Sequence, residues 1–149
     1  MDEFPIPVWG EIDRLIEEGE NHLDEDDREV EALACFQAAW DLLPEPKDRQ
    51  DSADRLLAAI GDCYFFLGEW DASHRAYQCV VRNDVTNPFV RLRLGQTLFE
   101  MGNFQEANNW MVPAYLEEGI ALFDGEDPKY LAHVKEQLDP PAGGWPEGW

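Results

Sequence analysis

The sequence predicts an all-α fold built from a repeated unit, and two observations lead to this prediction. Residues 56–70 match residues 90–104 when they are shifted by 34 positions, and at least eight positions agree at this one offset. Upstream, residues 9–23 carry an apolar stripe at intervals of three and four, as on one face of an α-helix. Self-similarity at a fixed period of this length indicates a helical-repeat architecture.

Glycines occupy two aligned positions of the repeat, and each predicts a different local structure. Gly61 and Gly95 fall inside the first helix of each unit, where a missing side chain would let the second helix approach closely. Gly68 and Gly102 end that helix, where the chain needs a residue with left-handed geometry. The other aligned pairs combine small and bulky residues in the same order: Ile60 with Leu94, Tyr64 with Leu98, Trp70 with Phe104, Ser73 with Ala107, and Tyr77 with Met111.

This pattern resembles the tetratricopeptide repeat (TPR), a 34-residue helix–turn–helix unit with such large–small pairs and a turn glycine. The resemblance implies a right-handed TPR-like superhelix and a protein that binds other proteins. We therefore predict one domain, residues 1–139, with three repeats and a C-terminal capping helix. The predicted repeats span about 11–44, 54–87 and 88–121, the capping helix spans 128–138, and a tail rich in Pro, Gly and Trp spans 140–149.

The first repeat departs from this pattern. An acidic run, residues 24–28, stands where the turn glycine is expected, and the offset from Ala32 to Ser73 is 41 residues rather than 34. The seven extra residues are assigned to the connection 44–52, which has the Pro- and Asp-rich composition of a loop. A terminal repeat has a neighbour on one side only, so an atypical sequence is expected there.

Composition predicts a cytoplasmic protein. The 149 residues are 44% hydrophobic, which suffices for a core, and no apolar run approaches the roughly 18 residues of a membrane-spanning helix. The acidic N-terminus is unlike a secretory signal, which begins with positive charge. The three cysteines, an odd number without a close pair, are expected to be reduced thiols: Cys35, Cys63 and Cys79.

The net charge of −21 restricts the partners that the chain is expected to bind. Residues 1–30 alone carry 12 acidic and 2 basic residues, a net charge of −10. A field of this sign repels nucleic acid and anionic membranes and attracts basic proteins. Solubility alone would also account for the charge, and the sequence leaves both explanations open.

We find no residue pattern that predicts catalysis, a cofactor or a metal site. None of the three histidines, His22, His74 and His133, has a second His or Cys at ligand spacing on its own predicted helix. No glycine-rich loop precedes a helix in the way that phosphate binding requires. The abundant carboxylates are typical of solvated helix faces. The sequence therefore predicts a non-catalytic protein.

The predicted partner-binding surface is the concave side of the superhelix, which the first helix of each repeat would line. The residues expected there are Glu17, Asn21, Asp24, Asp62, Phe65, Phe66, Phe89, Arg93, Gln96, Phe99 and Glu100. The phenylalanines among them either belong to the core or form the floor of a groove. In the tail, Trp145 and Trp149 either dock on the body, contact a partner or are exposed.

Two functions are compatible with these expectations. The first is neutralisation of a basic partner, as an immunity protein does to a bacterial toxin in a toxin–antitoxin pair. The second is that of a chaperone similar to those of type III secretion translocators, which are small, acidic three-repeat proteins that bind an extended segment. The carboxylate clamp of chaperone adaptors is matched at Asn21 and Arg93 but broken at Glu17 and Phe89. A basic or amphipathic protein is therefore the expected partner.

Overall fold

The structure, a computed structural model, describes residues 6–25, 27–83, 87–147 and 149, and all regular structure in these ranges is helical. The helices are α1 (Ile6–Leu23), α2 (Glu29–Leu42), α3 (Ala53–Leu67), α4 (Trp70–Val81), α5 (Pro88–Glu100), α6 (Phe104–Glu118) and α7 (Pro128–Glu136). Short 3-10 turns lie at Lys47–Arg49 and Ile120–Phe123. The predicted all-α class is thus confirmed. Of the helices described, none is both long and apolar enough to cross a lipid bilayer.

The chain divides into two units, Met1–Asp84 and Val85–Trp149. In the first unit, α1 packs on α2, α2 on α3, and α3 on α4. In the second unit, α5 packs on α6, and α7 also contacts α6. Neighbouring helices are therefore packed against each other, as the repeat predicts. The single domain and the superhelical arrangement remain predictions.

The core of the first unit runs from α1 to α4 through apolar residues spaced one turn apart. On α1, Ile12 and Ile16 are buried, and on α2 the aromatic ring of Phe36 is fully buried between them and α3. Leu56 and Ile60 repeat this spacing on α3. Burial of each such side chain contributes roughly 1.5–3 kcal/mol relative to an exposed position, so this stripe fixes which face of each helix turns inward.

Glycines allow the helices of the second and third pairs to approach closely. A Cβ atom on Gly61 would lie 2.8 Å from the ring of Tyr77, which is fully buried. A Cβ atom on Gly95 would collide with the side chain of Met111. In the second pair, the hydroxyl of Ser73 also donates a hydrogen bond to the Gly61 carbonyl, at 3.1 Å. The predicted role of both glycines is confirmed.

The first pair has the same construction despite its irregular sequence. A Cβ atom on Gly19 would lie 2.6 Å from the ring of Phe36. At the turn, Asp27 adopts a φ of 63°, and it aligns with Gly68 (φ 76°) at the 41-residue offset. Aspartate tolerates this left-handed conformation better than most residues, because its short side chain can bond locally. An acidic residue thus takes the left-handed conformation that the aligned glycine takes in the second repeat, although α1 ends four residues earlier, at Leu23.

The C-terminal part of the second unit is held by one cap and one aromatic cluster. The side chain of Asp127 accepts a hydrogen bond from the backbone N–H of Lys129 at 3.0 Å, so α7 begins at Pro128. In the tail, Trp145 and Trp149 pack edge-on against Tyr115, with ring centroids 6.2 and 5.6 Å away. Of the three alternatives for these tryptophans, the structure shows docking on the chain's own body.

Gly61→Ala is expected to destabilise the protein by about 1–3 kcal/mol, because the added methyl group overpacks the contact with Tyr77. Urea unfolding followed by circular dichroism measures this difference. Gly10→Ala is the matched control, since nothing lies within 4 Å of its Cβ position and helix propensity then gives a gain of up to about 1 kcal/mol. Equal stabilisation by both substitutions would contradict the close-packing argument.

Candidate functional site

Three of the predicted partner-binding residues lie together on the exposed side of α1. Glu17 and Asn21, four residues apart, share one face of the helix, and Asp24 lies in the turn directly after it; all three residues are exposed. Glu20 lies on the same side of α1 and forms an ion pair with Arg55 of α3, at 2.6 Å. This pair joins the face of α1 to α3.

The same surface continues along α3. Asp62 and Phe66 follow Arg55 by 7 and 11 residues, about two and three helical turns, and so share its face of α3. Phe66 is 51% exposed, and Asp62 accepts a hydrogen bond from the Tyr77 hydroxyl. We call this surface the acidic face. It comprises Glu17, Glu20 and Asn21 of α1, Asp24 in the turn after α1, and Asp62 and Phe66 of α3.

Phe65 and Phe66 are adjacent in sequence but have different roles. Phe65 is buried, and its ring meets those of Phe66 and Trp70 edge-on at 5.4 Å each. Phe65 therefore belongs to the core, one of the two alternatives that the sequence leaves open. Its contact holds the exposed ring of Phe66 in a defined position at the edge of the acidic face.

The negative charge of the first unit is only partly compensated. Residues 1–84 contain 22 acidic and 7 basic residues, which gives −15 of the total −21. Arg14 is shared between Glu11 and Glu18, and Arg55 is taken by Glu20. In the described part of the chain, Glu17 and Asp24 have no ion-pair partner within 4 Å. Their field is open to a cationic group from outside.

In the second unit, Phe89 is exposed, whereas the other predicted partner-binding residues have partners within the chain. Phe89 lies in the first turn of α5 and is 63% exposed. The amide of Gln96 is fully buried, accepts a hydrogen bond from Arg93 at 2.7 Å and donates one to Glu126 at 2.8 Å. Arg93 also forms an ion pair with Glu126.

Helix α7 covers the remaining two residues of this group. The ring of Phe99 contacts those of Tyr130 and His133 edge-on, with centroids 5.3 and 5.1 Å away. Glu100 accepts a hydrogen bond from Lys129 Nζ at 2.5 Å. The sequence predicts a capping helix here but carries no signal for the face of α5 that it covers. Only the structure identifies the residues that contact this part of α5: Glu126, Lys129, Tyr130 and His133.

A cleft of about 520 Å³ opens between α6 and α7, and it is rich in amide side chains. Its lining residues are Phe104, Gln105, Asn108, Asn109, His133 and Gln137. The Oδ1 atom of Asn108 is buried and has no hydrogen-bond partner among the described residues. Side-chain amides offer both donors and acceptors, so this cleft is suited to a peptide backbone or another polar ligand.

The buried thiol of the first unit is poorly suited to nucleophilic chemistry. Cys63 is fully buried, and this burial raises the pKa of its thiol to about 12. The thiolate is the reactive form, so the thiol is almost wholly protonated at neutral pH.

Comparison with protein-family models gives no match for this chain, and comparison with curated proteins gives no significant match.

Glu126→Ala is expected to lower the free energy of unfolding by about 1.5–3 kcal/mol, the range for hydrogen bonds to charged groups, because Arg93 and Gln96 lose a shared acceptor. Thermal and urea unfolding measure the loss. The exposed Asp124→Ala is the control and should stay within about 0.5 kcal/mol of the unmodified protein. Equal effects would show that the polar cluster contributes nothing specific to stability.

Cys63 is expected to resist alkylation in the folded protein at pH 8, whereas it should react fully in denaturant. The reason is its burial together with its raised pKa. Iodoacetamide labelling followed by peptide mass spectrometry measures each thiol separately. The partly exposed Cys79 serves as the internal control and should react in the native protein. Native labelling of Cys63 at the rate of Cys79 would contradict this account.

Proposed function

We propose that this chain is a non-catalytic protein-interaction module whose acidic face binds a basic partner. The observation that carries the proposal is the acidic face itself, where Glu17 and Asp24 lack ion-pair partners in the described chain and Phe66 stands exposed beside them. We further propose that the helix pairs form a right-handed TPR-like superhelix. The glycine contact that recurs in each of the three pairs supports this arrangement.

The chemistry of the acidic face favours a folded cationic protein. Complementary charge accelerates encounter and fixes orientation, and an exposed aromatic ring at the edge supplies an apolar anchor. Nucleic acid and anionic lipid surfaces carry the same sign of charge as this face and would be repelled. A basic protein surface with an apolar pocket would form ion pairs with the carboxylates and bury the ring of Phe66.

Within this class, we favour an immunity protein that neutralises a basic bacterial toxin in the cytoplasm. Its support is the combination of small size, strong acidity and a binding surface built without any recognised catalytic pattern. Such a protein needs tight, rapid binding, and electrostatic attraction raises the association rate. The name and sequence of the partner would come from the neighbouring gene or from co-purification.

A secretion chaperone of the type III translocator type is the second candidate. The amide-rich cleft between α6 and α7 favours it, since Gln and Asn side chains can pair with the backbone of an extended segment. The two candidates differ in the state of the partner. An immunity protein binds a folded domain, whereas the chaperone binds an unfolded segment.

The double substitution Glu17→Lys/Asp24→Lys is expected to weaken binding of the basic partner by about tenfold or more at low salt, because it places cations on the acidic face. The partner is first identified by co-purification and mass spectrometry, and its affinity is then measured calorimetrically at low and high salt. Glu106→Lys/Glu118→Lys in α6 is the matched control, with the same net charge but its changes in the second unit.

Affinity that is independent of salt and equal in both double variants would overturn the proposal. The chaperone function would be identified by two results together. Binding would require an unfolded partner, and it would be lost on substituting Asn108 or Gln105 rather than Glu17 and Asp24. Binding lost only with the acidic-face substitutions, to a folded partner, supports the immunity function.

A further inference from the structure

Glu18, His22 and Cys35 bring three potential metal ligands to one point between α1 and α2. One donor atom from each residue lies within 4.8 Å of the other two. Glu18 and His22 are four residues apart on α1, so they share a helical face, and Glu18 Oε1 is 4.0 Å from His22 Nε2. Ligand spacing within a single helix predicts no metal site here, because Glu18 and His22 lie on α1 whereas Cys35 lies on α2.

The close packing of α1 on α2 explains why these residues meet. Gly19 faces the ring of Phe36 without an intervening side chain. Glu18 precedes Gly19 in sequence, and Cys35 precedes Phe36, so the same close approach sets the thiol beside the carboxylate. Because the contact is between two buried positions of the core, the relative placement of the two helices here is well defined.

The arrangement suits a metal ion better than a catalytic relay. In a relay, the two ring nitrogens of histidine face different partners, with the nucleophile on one side and the carboxylate on the other. Here one ligand atom from each of the three residues lies within 4.8 Å of the other two. Zinc binds nitrogen, sulfur and oxygen ligands together, and its bonds of about 2.0–2.3 Å require donor atoms about 3.5 Å apart. Shifts of roughly 1 Å in the exposed side chain of Glu18 and the partly exposed side chains of His22 and Cys35 would close the observed spacing to this value.

The local charges fit a dication. Arg14 donates a hydrogen bond to Glu18 Oε2 at 2.8 Å, which leaves Oε1 directed towards His22. Glu11 binds the same guanidinium at 2.5 Å and offsets part of its charge. A carboxylate and a thiolate together balance the two charges of Zn²⁺. The Glu18 side chain is 46% exposed, so the cluster is open to an ion from solvent.

We propose that Glu18, His22 and Cys35 form a zinc-binding site between α1 and α2. The carboxylate, the imidazole and the cysteine sulfur occupy three positions of a tetrahedron, and a water molecule takes the fourth. On binding, the thiol releases its proton to solvent as the zinc–sulfur bond forms. This site is separate from the acidic face and does not depend on the proposed function.

Titration of the full chain with Zn²⁺, in competition with a chromophoric chelator, is expected to show one tight site per chain. Cys35→Ser and His22→Asn should each lower its affinity by at least about tenfold, since even the loss of an outer-shell partner has that effect. Cys79→Ser and Glu118→Gln are the matched controls and should leave the affinity unchanged. Co²⁺ in place of Zn²⁺ should give a thiolate-to-cobalt charge-transfer band that disappears in Cys35→Ser.

Two results would overturn the site. One is equal Zn²⁺ affinity in the unmodified protein and all four variants, which would indicate nonspecific binding to surface carboxylates. The other is a Co²⁺ spectrum of the unmodified protein without a sulfur charge-transfer band, which needs no variant and so is unaffected by misfolding. Thermal unfolding provides an independent readout, because Zn²⁺ should raise the Tm of the unmodified protein but not that of His22→Asn.

Discussion

The contact between a glycine on one helix and a bulky side chain on its partner determines most of this structure. It recurs in all three helix pairs, at Gly19, Gly61 and Gly95. Protein interiors are packed to the density of organic crystals, so a single missing Cβ atom decides how near two helices come. The inward faces are set by this contact, and the outward faces of α1 and α3 are then left to carry the acidic residues. The Glu18, His22 and Cys35 cluster depends on the same approach.

Much of the fold could be predicted because the same pattern of glycines, small residues and bulky residues occurs twice, 34 residues apart. The aligned glycines and small residues predict the second and third helix pairs, and the structure has both. The turn between α1 and α2 could not be predicted in the same way, because its left-handed residue is Asp27 rather than glycine. In the sequence, Asp27 is one member of an acidic run. The position of α7 on α5 was not predictable, since its apolar stripe specifies that a face is buried but not against which neighbour. The same holds for the docking of Trp145 and Trp149 on Tyr115.

The candidate sites were predictable only in part, for a geometric reason. Phe65 and Phe66 are adjacent and identical in sequence. Because successive helix residues point about 100° apart, however, Phe65 lies in the core and Phe66 is exposed. Single-helix spacing identifies Glu17, Asn21 and Asp24 as one face, and the structure keeps them exposed. It cannot identify residues that meet across two helices. Cys35 with His22 is a pair of this kind, and Glu126, in the turn before α7, likewise reaches Gln96 from a distant part of the chain.

The ion pair between Glu20 and Arg55 has a consequence for selectivity. It neutralises one carboxylate, that of Glu20, within an otherwise negative surface. A solvent-exposed pair of this type contributes less than about 1 kcal/mol, so it holds α1 and α3 together only weakly. Its larger effect is on where a ligand's charges are attracted, since the carboxylate of Glu20 is already paired while those of Glu17 and Asp24 are not. A basic side chain that docks on this surface is therefore drawn to Glu17 and Asp24 rather than to Glu20.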